Sequence, residues 1–361
     1  MNKMRGLYIH VPFCLSKCPY CDFYSVKADK ASAKEYKNAV IRNLKRYDRE
    51  FDTVYFGGGT PILLWKEICG ILSEIAFPAD AEISLEANPC CATEENLAAL
   101  RKAGVNRISF GVQSFNDGEL KALGRRHNSE TAVKAVETAY NCGFENISAD
   151  IMLATPLQTA ESLQNTVDKL VSLPVTHISA YMLKIEENTP FANANLNLPE
   201  EDSVCEMYLE TAERLESFGF IQYEISNFAK KGCECRHNLK YWNCEEYLGI
   251  GPASHSYYNG ERFYVKGDLT EFISSPCQIT HKEDEEGTAY GSCQEYAMLR
   301  LRLSEGLSFE EYEKRGGNTD SLTAKAKTLP PGYAILDGEK IYLTKKGFLV
   351  SNSVIAALLE C

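Results

Sequence analysis

Between residues 7 and 183, short β-rich runs and amphipathic helical patterns replace one another about every 30–40 residues, and nothing else restricts this chain's fold as tightly. The β-rich runs are Leu7–Val11, Thr53–Phe56, Glu82–Leu85, Arg107–Gly111, Ile147–Leu153 and His177–Leu183. Apolar residues at helical spacing lie between them: Tyr36, Ala39, Val40 and Leu44, then Ile68, Ile71, Leu72 and Ile75. Thr93 is placed to cap a third helix that Gly104 ends, and Ser129 to cap another that Gly143 closes; a further helix covers about 160–172. Strand–helix alternation of this kind gives a parallel α/β fold. Polar residues then choose between a barrel and a doubly wound sheet. Cys14–Cys21, Gly57–Pro61, Glu86, Gln113 and Asp150 all sit at or near the C-terminal end of a run. That is the face on which β/α barrels build their sites. Because the pattern stops after six units, the expectation is a partial (β/α)6 TIM-like barrel.

Beyond residue 184 the texture changes. An amphipathic helix covers about 200–218, and Gln222–Ile225 reads as a strand. Cys233, Cys235 and the stretch His237–Trp242 follow, then the Gly-rich Leu248–His255. The acidic run His281–Gly287 reads as a solvated boundary loop. The tail carries helical patterns and a hairpin, Gly332–Leu336 and Ile341–Thr344, around an Asp337–Gly338 turn. We therefore expect a barrel over 1–230, a connecting region over 231–285 and a small helical, winged-helix-like domain over 286–361. A net charge of −12 argues against nucleic acid as a partner, since phosphate contact needs clustered Lys and Arg. No run of eighteen apolar residues occurs, and the N-terminus enters a strand too soon for a signal peptide, so the expected location is the cytoplasm. There the 14 cysteines read as reduced thiols or metal ligands, with Cys69, Cys142 and Cys205 as small buried hydrophobes.

Cys14, Cys18 and Cys21 are spaced by four and three residues, with Pro19 preventing a helix between the last two. Such a loop can wrap a metal centre, and thiolates suit both iron–sulfur clusters and zinc. Three protein ligands leave a position open for substrate. The plainer alternative is three unrelated thiols. Gly57–Gly59 allow a ligand close to the backbone, or simply make a strand-to-helix turn; a P-loop fails because no Gly-Lys-Ser/Thr follows. Glu86, Gln113, Arg125 and Asp150 could together hold a small zwitterionic, ribose-containing ligand, although each alone reads as structural or solvated.

Tyr8–Cys14, the cysteine triad, Gly57–Pro61, Glu86–Pro89, Gly111–Phe115 and Asp150 together resemble the radical S-adenosylmethionine superfamily. The nearest branch is that of the oxygen-independent coproporphyrinogen III oxidases and the HemW-like haem chaperones. The resemblance implies a [4Fe–4S] cluster on Cys14, Cys18 and Cys21, with S-adenosylmethionine on its fourth iron. It implies that Tyr8, Tyr20, Gly58, Gly59, Thr60, Glu86, Gln113, Arg125 and Asp150 hold that cofactor. Decarboxylating members carry a further Cys two residues after the third, whereas HemW-like proteins have Phe, as here at Phe23. HemW-like proteins also carry His-Asn-x-x-Tyr-Trp, matched by His237, Asn238, Tyr241 and Trp242 and associated with haem as cargo. On a helix, His237 and Tyr241 would share a face; read without the family, a His beside aromatics is a hydrogen-bonded core residue. Cys233 and Cys235 are competing iron ligands. The implied function is haem binding and delivery to haemoproteins at the inner face of the membrane, with a homodimer plausible from relatives. The alternative is oxidative decarboxylation of coproporphyrinogen III, so whether the chain is an enzyme stays open at this point. Three departures stand on the substrate side: Cys90-Cys91 where relatives have Gly, Ala154-Thr155-Pro156 where they have Gly-Leu-Pro, and Gly249–His255 where they have a Gly-x-Gly-x-x-Ala-His-like run.

Overall fold

The computed structural model describes residues 4–47, 50–281 and 291–359. Met1–Lys3, most of the acidic run and the expected boundary at 285/286 lie outside them. Six strands, β1 (Arg5–Val11), β2 (Phe51–Gly58), β3 (Glu82–Ala87), β4 (Arg107–Gln113), β5 (Asn146–Leu153) and β6 (His177–Met182), pair in parallel in sequence order. The helices between them are α1 (Lys30–Leu44), α2 (Trp65–Leu72), α3 (Glu94–Lys102), α4 (Asp117–Ala122), α5 (Ser129–Asn141) and α6 (Ala160–Val171). Thr93 caps α3 in a reciprocal capping box with Asn96. At α5 the cap is Asn128, whose side chain accepts from Thr131 N, so the expected Ser129 cap is off by one residue. Asn and Ser are near-equal caps, which is why the sequence does not separate them.

The sheet is larger than six strands. After α7 (Glu201–Ser217) come β7 (Ile221–Gln222), β8 (Asn227–Ala229), α8 (Arg236–Trp242), β9 (Tyr247–Ile250), β10 (His255–Tyr258), β11 (Glu261–Tyr264) and β12 (Thr280–His281). The full order is β12-β11-β10-β9-β1-β2-β3-β4-β5-β6-β8-β7. β9 pairs in parallel with the outer side of β1, and the remaining additions are antiparallel. Residues expected as a connecting region therefore extend the barrel's own sheet. The strand expected over Gln222–Ile225 is shorter, because Tyr223 O and Ile225 N pair with Ser304 N and Arg302 O of the tail. That exchange ties the tail to the barrel. The tail holds helices Cys293–Arg300, Phe309–Lys314 and Thr319–Ala326, and a three-stranded sheet that includes the hairpin Ala334–Leu336 and Lys340–Leu343. Among the described residues no helix is long and apolar enough to cross a membrane.

Strand alternation gives the barrel two different faces. Leu7, Ile9, Val54, Phe56, Ile83, Leu85, Ile108 and Phe110 point outward into the helices and are fully buried. The inward row is polar: Tyr8 and His10, Thr53 and Tyr55, Glu82, Ser84 and Glu86, Arg107 and Ser109, Ser148 and Asp150, His177 and Ser179. Outside is the hydrophobic core; inside is the site. Cys69, Cys142 and Cys205, expected as buried hydrophobes, are only half-buried.

Candidate functional site

The cysteine loop leaves β1 and is pinned from three sides. Gly59 N and Thr60 N donate to Val11 O and Phe13 O at 2.9 and 2.8 Å. A Cβ on Gly59 would come within 2.7 Å of Phe13 O, so glycine is needed for this approach, whatever else it contacts. Phe191 N donates to Pro19 O at 3.1 Å, and Tyr20 rests near the Phe191 ring. The three thiols are half-buried, and none is in a disulfide. Two of them receive directed donors: Thr60 Oγ1 lies 3.6 Å from Cys14 Sγ and Arg125 Nη1 lies 3.6 Å from Cys18 Sγ.

All three thiols open onto one cavity of about 490 Å³ that runs into the barrel. The same cavity is lined by Tyr20, Gly58, Gly59, Thr60, Glu86, Gln113, Arg125 and Asp150. Eight of the nine residues expected around S-adenosylmethionine thus share a wall with the triad. Tyr8 does not reach it; its hydroxyl lies 3.0 Å from His10 Nδ1. His10 Nε2 lies 3.0 Å from Tyr24 O, which can only accept. The neutral ring therefore donates from Nε2 and takes the Tyr8 proton on Nδ1. Tyr8 braces the far side of the cysteine loop.

The polar groups of the cavity are held but not saturated. Glu86 accepts from Tyr55 Oη at 2.9 Å and from Gly58 N at 3.0 Å. Burial, reinforced by Asp150, pushes its carboxyl up to about 7. Burial also raises the Asp150 carboxyl, against the pull of Ser179 and Ser109 hydroxyls. Arg125 donates from Nη2 to Gly111 O at 2.6 Å and from Nη1 to Tyr20 Oη at 3.3 Å, while its buried Nε has no partner. Gln113 sits at a register shift in β4 with φ of 69°, a left-handed conformation that costs of order 1–3 kcal/mol in a non-glycine residue. The cost is met where its side chain lines the cavity.

Half-buried thiols with directed donors, an unpartnered guanidinium N–H and two carboxyls with raised pKa fit a thiolate-bound cluster beside a zwitterionic ligand. Cys14, Cys18 and Cys21 each face the cavity and would hold the cluster there. Phe23 lies on the rim of this cavity, 62% exposed.

The second motif occupies the opposite end of the barrel. α8 plugs the N-terminal openings of the strands, and its first turn is capped by a carboxylate from β3. Glu82 accepts from Arg236 N and His237 N, both at 3.0 Å. His237 is fully buried. Its Nδ1 lies 2.9 Å from Thr53 Oγ1 and its Nε2 2.7 Å from Tyr241 Oη. Its ring stacks on Tyr55. Burial, with Lys240 and Arg107 nearby, holds His237 down to about 3, so it is neutral. Lys240 is anchored to Asp52 at 2.9 Å. Trp242 lies under the Arg302 guanidinium of the tail. Of the four motif residues, only Asn238 lines the cavity. Cys235 is fully buried beside Glu82 and does not line the cavity; burial pushes its thiol up to about 12. Glu82 and Glu86 are four residues apart on one strand, so floor and mouth are separated by roughly 13 Å at about 3.3 Å per residue.

Arg107, Ser109, Tyr55, His177 and Ser179 also line the cavity and were missed in the sequence. Their signal is the inward register they share with Glu86 and Asp150.

Comparisons with known proteins identify the family. The model of the radical SAM superfamily matches residues 8–170. A protein of Bacillus subtilis described as "Heme chaperone HemW" is 36% identical, over 99% of both chains. Its namesake in Escherichia coli is 37% identical over 98% of both. The solved structure of the coproporphyrinogen III oxidase HemN from Escherichia coli superposes with a TM-score of 0.80, covering 99% of this chain and 90% of that one. At 21% identity that likeness speaks for the fold alone. Full-length kinship, and not the shared barrel, decides the branch: the chain belongs to the HemW family of haem chaperones within the radical SAM superfamily.

Proposed function

We propose that this chain binds haem and hands it to recipient haemoproteins, on a scaffold that carries a [4Fe–4S] cluster and S-adenosylmethionine. The observation that carries the reading is the single cavity from the cysteine triad to Asn238 of the motif helix. Cys14, Cys18 and Cys21 hold the cluster. Its chemistry, when bound, is one-electron transfer to the sulfonium of S-adenosylmethionine. Arg125 is placed to meet the cofactor's carboxylate with its unpartnered Nε, and Glu86 and Asp150 to accept from its hydroxyl and ammonium groups.

For a flat, amphipathic macrocycle with two carboxylates, the mouth offers Phe23, Met182 and Leu183 as apolar surface and Lys17 and Lys184 as cations. The motif contributes Asn238 to the floor directly. His237 is a haem ligand only if α8 withdraws, since both ring nitrogens are engaged. Delivery at the inner face of the membrane and cluster-dependent dimerisation belong to the same proposal and rest on the resemblance.

Hemin added to anaerobically reconstituted protein should develop a Soret band that saturates, and the haem should move to an apo-haemoprotein. Asn238→Ala should weaken binding several-fold. An unchanged hemin spectrum at stoichiometric protein would sink the reading. Conversion of coproporphyrinogen III to protoporphyrinogen IX in the same preparation would establish the alternative.

A further inference from the structure

Arg107, at the start of β4, is a cation that the protein buries and does not pair. It is 2% exposed. In register it faces Ser84, between Glu82 and Glu86 of β3, so it enters the barrel midway between floor and mouth. Its Nε is buried without a partner, and among the described residues no carboxylate reaches ion-pair distance of its guanidinium. Arginine is almost never fully buried unless paired, so packing alone does not explain it.

The acceptors around Arg107 are committed elsewhere. Glu82 takes Arg236 N and His237 N, both at 3.0 Å. Glu86 takes Tyr55 Oη and Gly58 N, and Asp150 Oδ1 takes Ser109 Oγ at 3.1 Å. The two ring nitrogens of His177 are held by Ser148 Oγ and Tyr223 Oη, each at 2.8 Å. Burial works against the Arg107 charge, yet the fields of Cys235 and Glu82 outweigh it and keep the group protonated. A distant counter-ion to Glu82 would leave all its N–H donors idle beside open space. Arg107 lines the cavity of about 490 Å³, so a ligand there can use them.

We propose that Arg107, with Asn238, forms a carboxylate subsite inside the barrel, and that its occupant is one propionate of the tetrapyrrole cargo. The inference rests on the haem-binding reading above and adds an interior anchor to it. A planar guanidinium matches a carboxylate with two parallel N–H···O bonds, and Asn238 adds an amide N–H from the same cavity wall. Two carboxylates could come here, that of S-adenosylmethionine and that of the cargo. The first already has Arg125, which lies 3.6 Å from the Cys18 thiol at the mouth. Arg107 enters deeper, past the Glu86 level, where the remaining ligand has to go.

The test titrates hemin and hemin dimethyl ester into anaerobically reconstituted, cluster-loaded protein and reads the Soret band. Wild type should bind hemin about tenfold or more tighter than the ester, the scale of hydrogen bonds to a charged group. R107M should bind hemin no better than the ester, with the ester's own affinity unchanged. R107K keeps the charge beside Glu82, which guards against a folding defect. It should still lose several-fold for hemin alone, because an ammonium cannot form the fork. S-adenosylmethionine affinity, measured by equilibrium dialysis, should stay at the wild-type value in both variants. Equal binding of hemin and ester by wild type, or a preference that survives in both variants, overturns the subsite and leaves haem binding in place. No Soret band with wild type sinks the haem reading and the subsite with it. Loss of S-adenosylmethionine with the hemin preference intact would assign Arg107 to the cofactor and equally overturn the proposal.

Discussion

The two ends of the barrel are built from the same alternating strands and reach opposite states. At the mouth, buried polar groups are positioned but under-satisfied: Arg125 Nε has no partner, Gln113 holds a strained backbone, and Glu86 and Asp150 resist ionisation. At the floor, His237 spends both ring nitrogens and its backbone N–H on protein partners. Leaving a buried polar group unpaired costs about 1–3 kcal/mol, so the first arrangement persists where a ligand completes it and the second where the fold itself needs it. A motif associated with cargo can thus act chiefly by closing a cavity, with Asn238 alone of its residues reaching what enters it.

The largest expected effect lies at the mouth. Cys18→Ala should abolish the cluster, read as iron per chain and visible absorbance, while leaving the α8 floor folded by circular dichroism. Full iron retention would break the comparison, because the mouth would then not be the ligand-binding end. At the floor, Glu82→Ala removes the acceptor of two α8 backbone N–H groups and leaves the buried Arg107 without that carboxylate in its field. Leaving buried backbone N–H groups without an acceptor costs about 1–3 kcal/mol each, to be read by urea unfolding. A loss under 1 kcal/mol would show that α8 is not a structural plug.

The sharpest and smallest test is pH. Glu86 is raised from 4.5 to about 7, so the native state holds the extra proton in that window and the group's contribution to stability falls as pH rises through it. His237 is lowered from 6.5 to about 3, so its contribution is lost as pH falls from 6.5 toward 3. The ends pull in opposite directions. Relative to wild type, Glu86→Gln should gain stability between pH 4.5 and 7.5 by roughly 3 kcal/mol, at about 1.4 per pKa unit. A pH-independent difference would mean the carboxyl is not buried as described.

Local physics made much of this legible. The period-2 runs and the Thr93 cap placed strands and helices, and the polar strand ends marked the end of the barrel where the cavity opens. Arg107 and His177 were not legible, because a lone charge in an apolar strand reads as solvated unless the barrel's interior is known to be polar. His237 was legible twice over, as cargo ligand and as hydrogen-bonded core residue, and only its two occupied nitrogens show which state it holds here. β9 escaped for another reason: Tyr247–Ile250 pairs with Gly6–Ile9 across some 240 residues of chain, and no local pattern announces so distant a partner.

That pairing has a consequence for the order of assembly. β1 is made well before β9 and carries the cysteine loop, yet one of its two edges stays bare until residue 250 has been made. Contacts of such long sequence separation form late, because the closure entropy must be met first. The nascent chain therefore presents three thiols on an incomplete strand until β9 has been made. Cluster insertion that waited for β9 would find a finished pocket; insertion before it would help hold β1 in place.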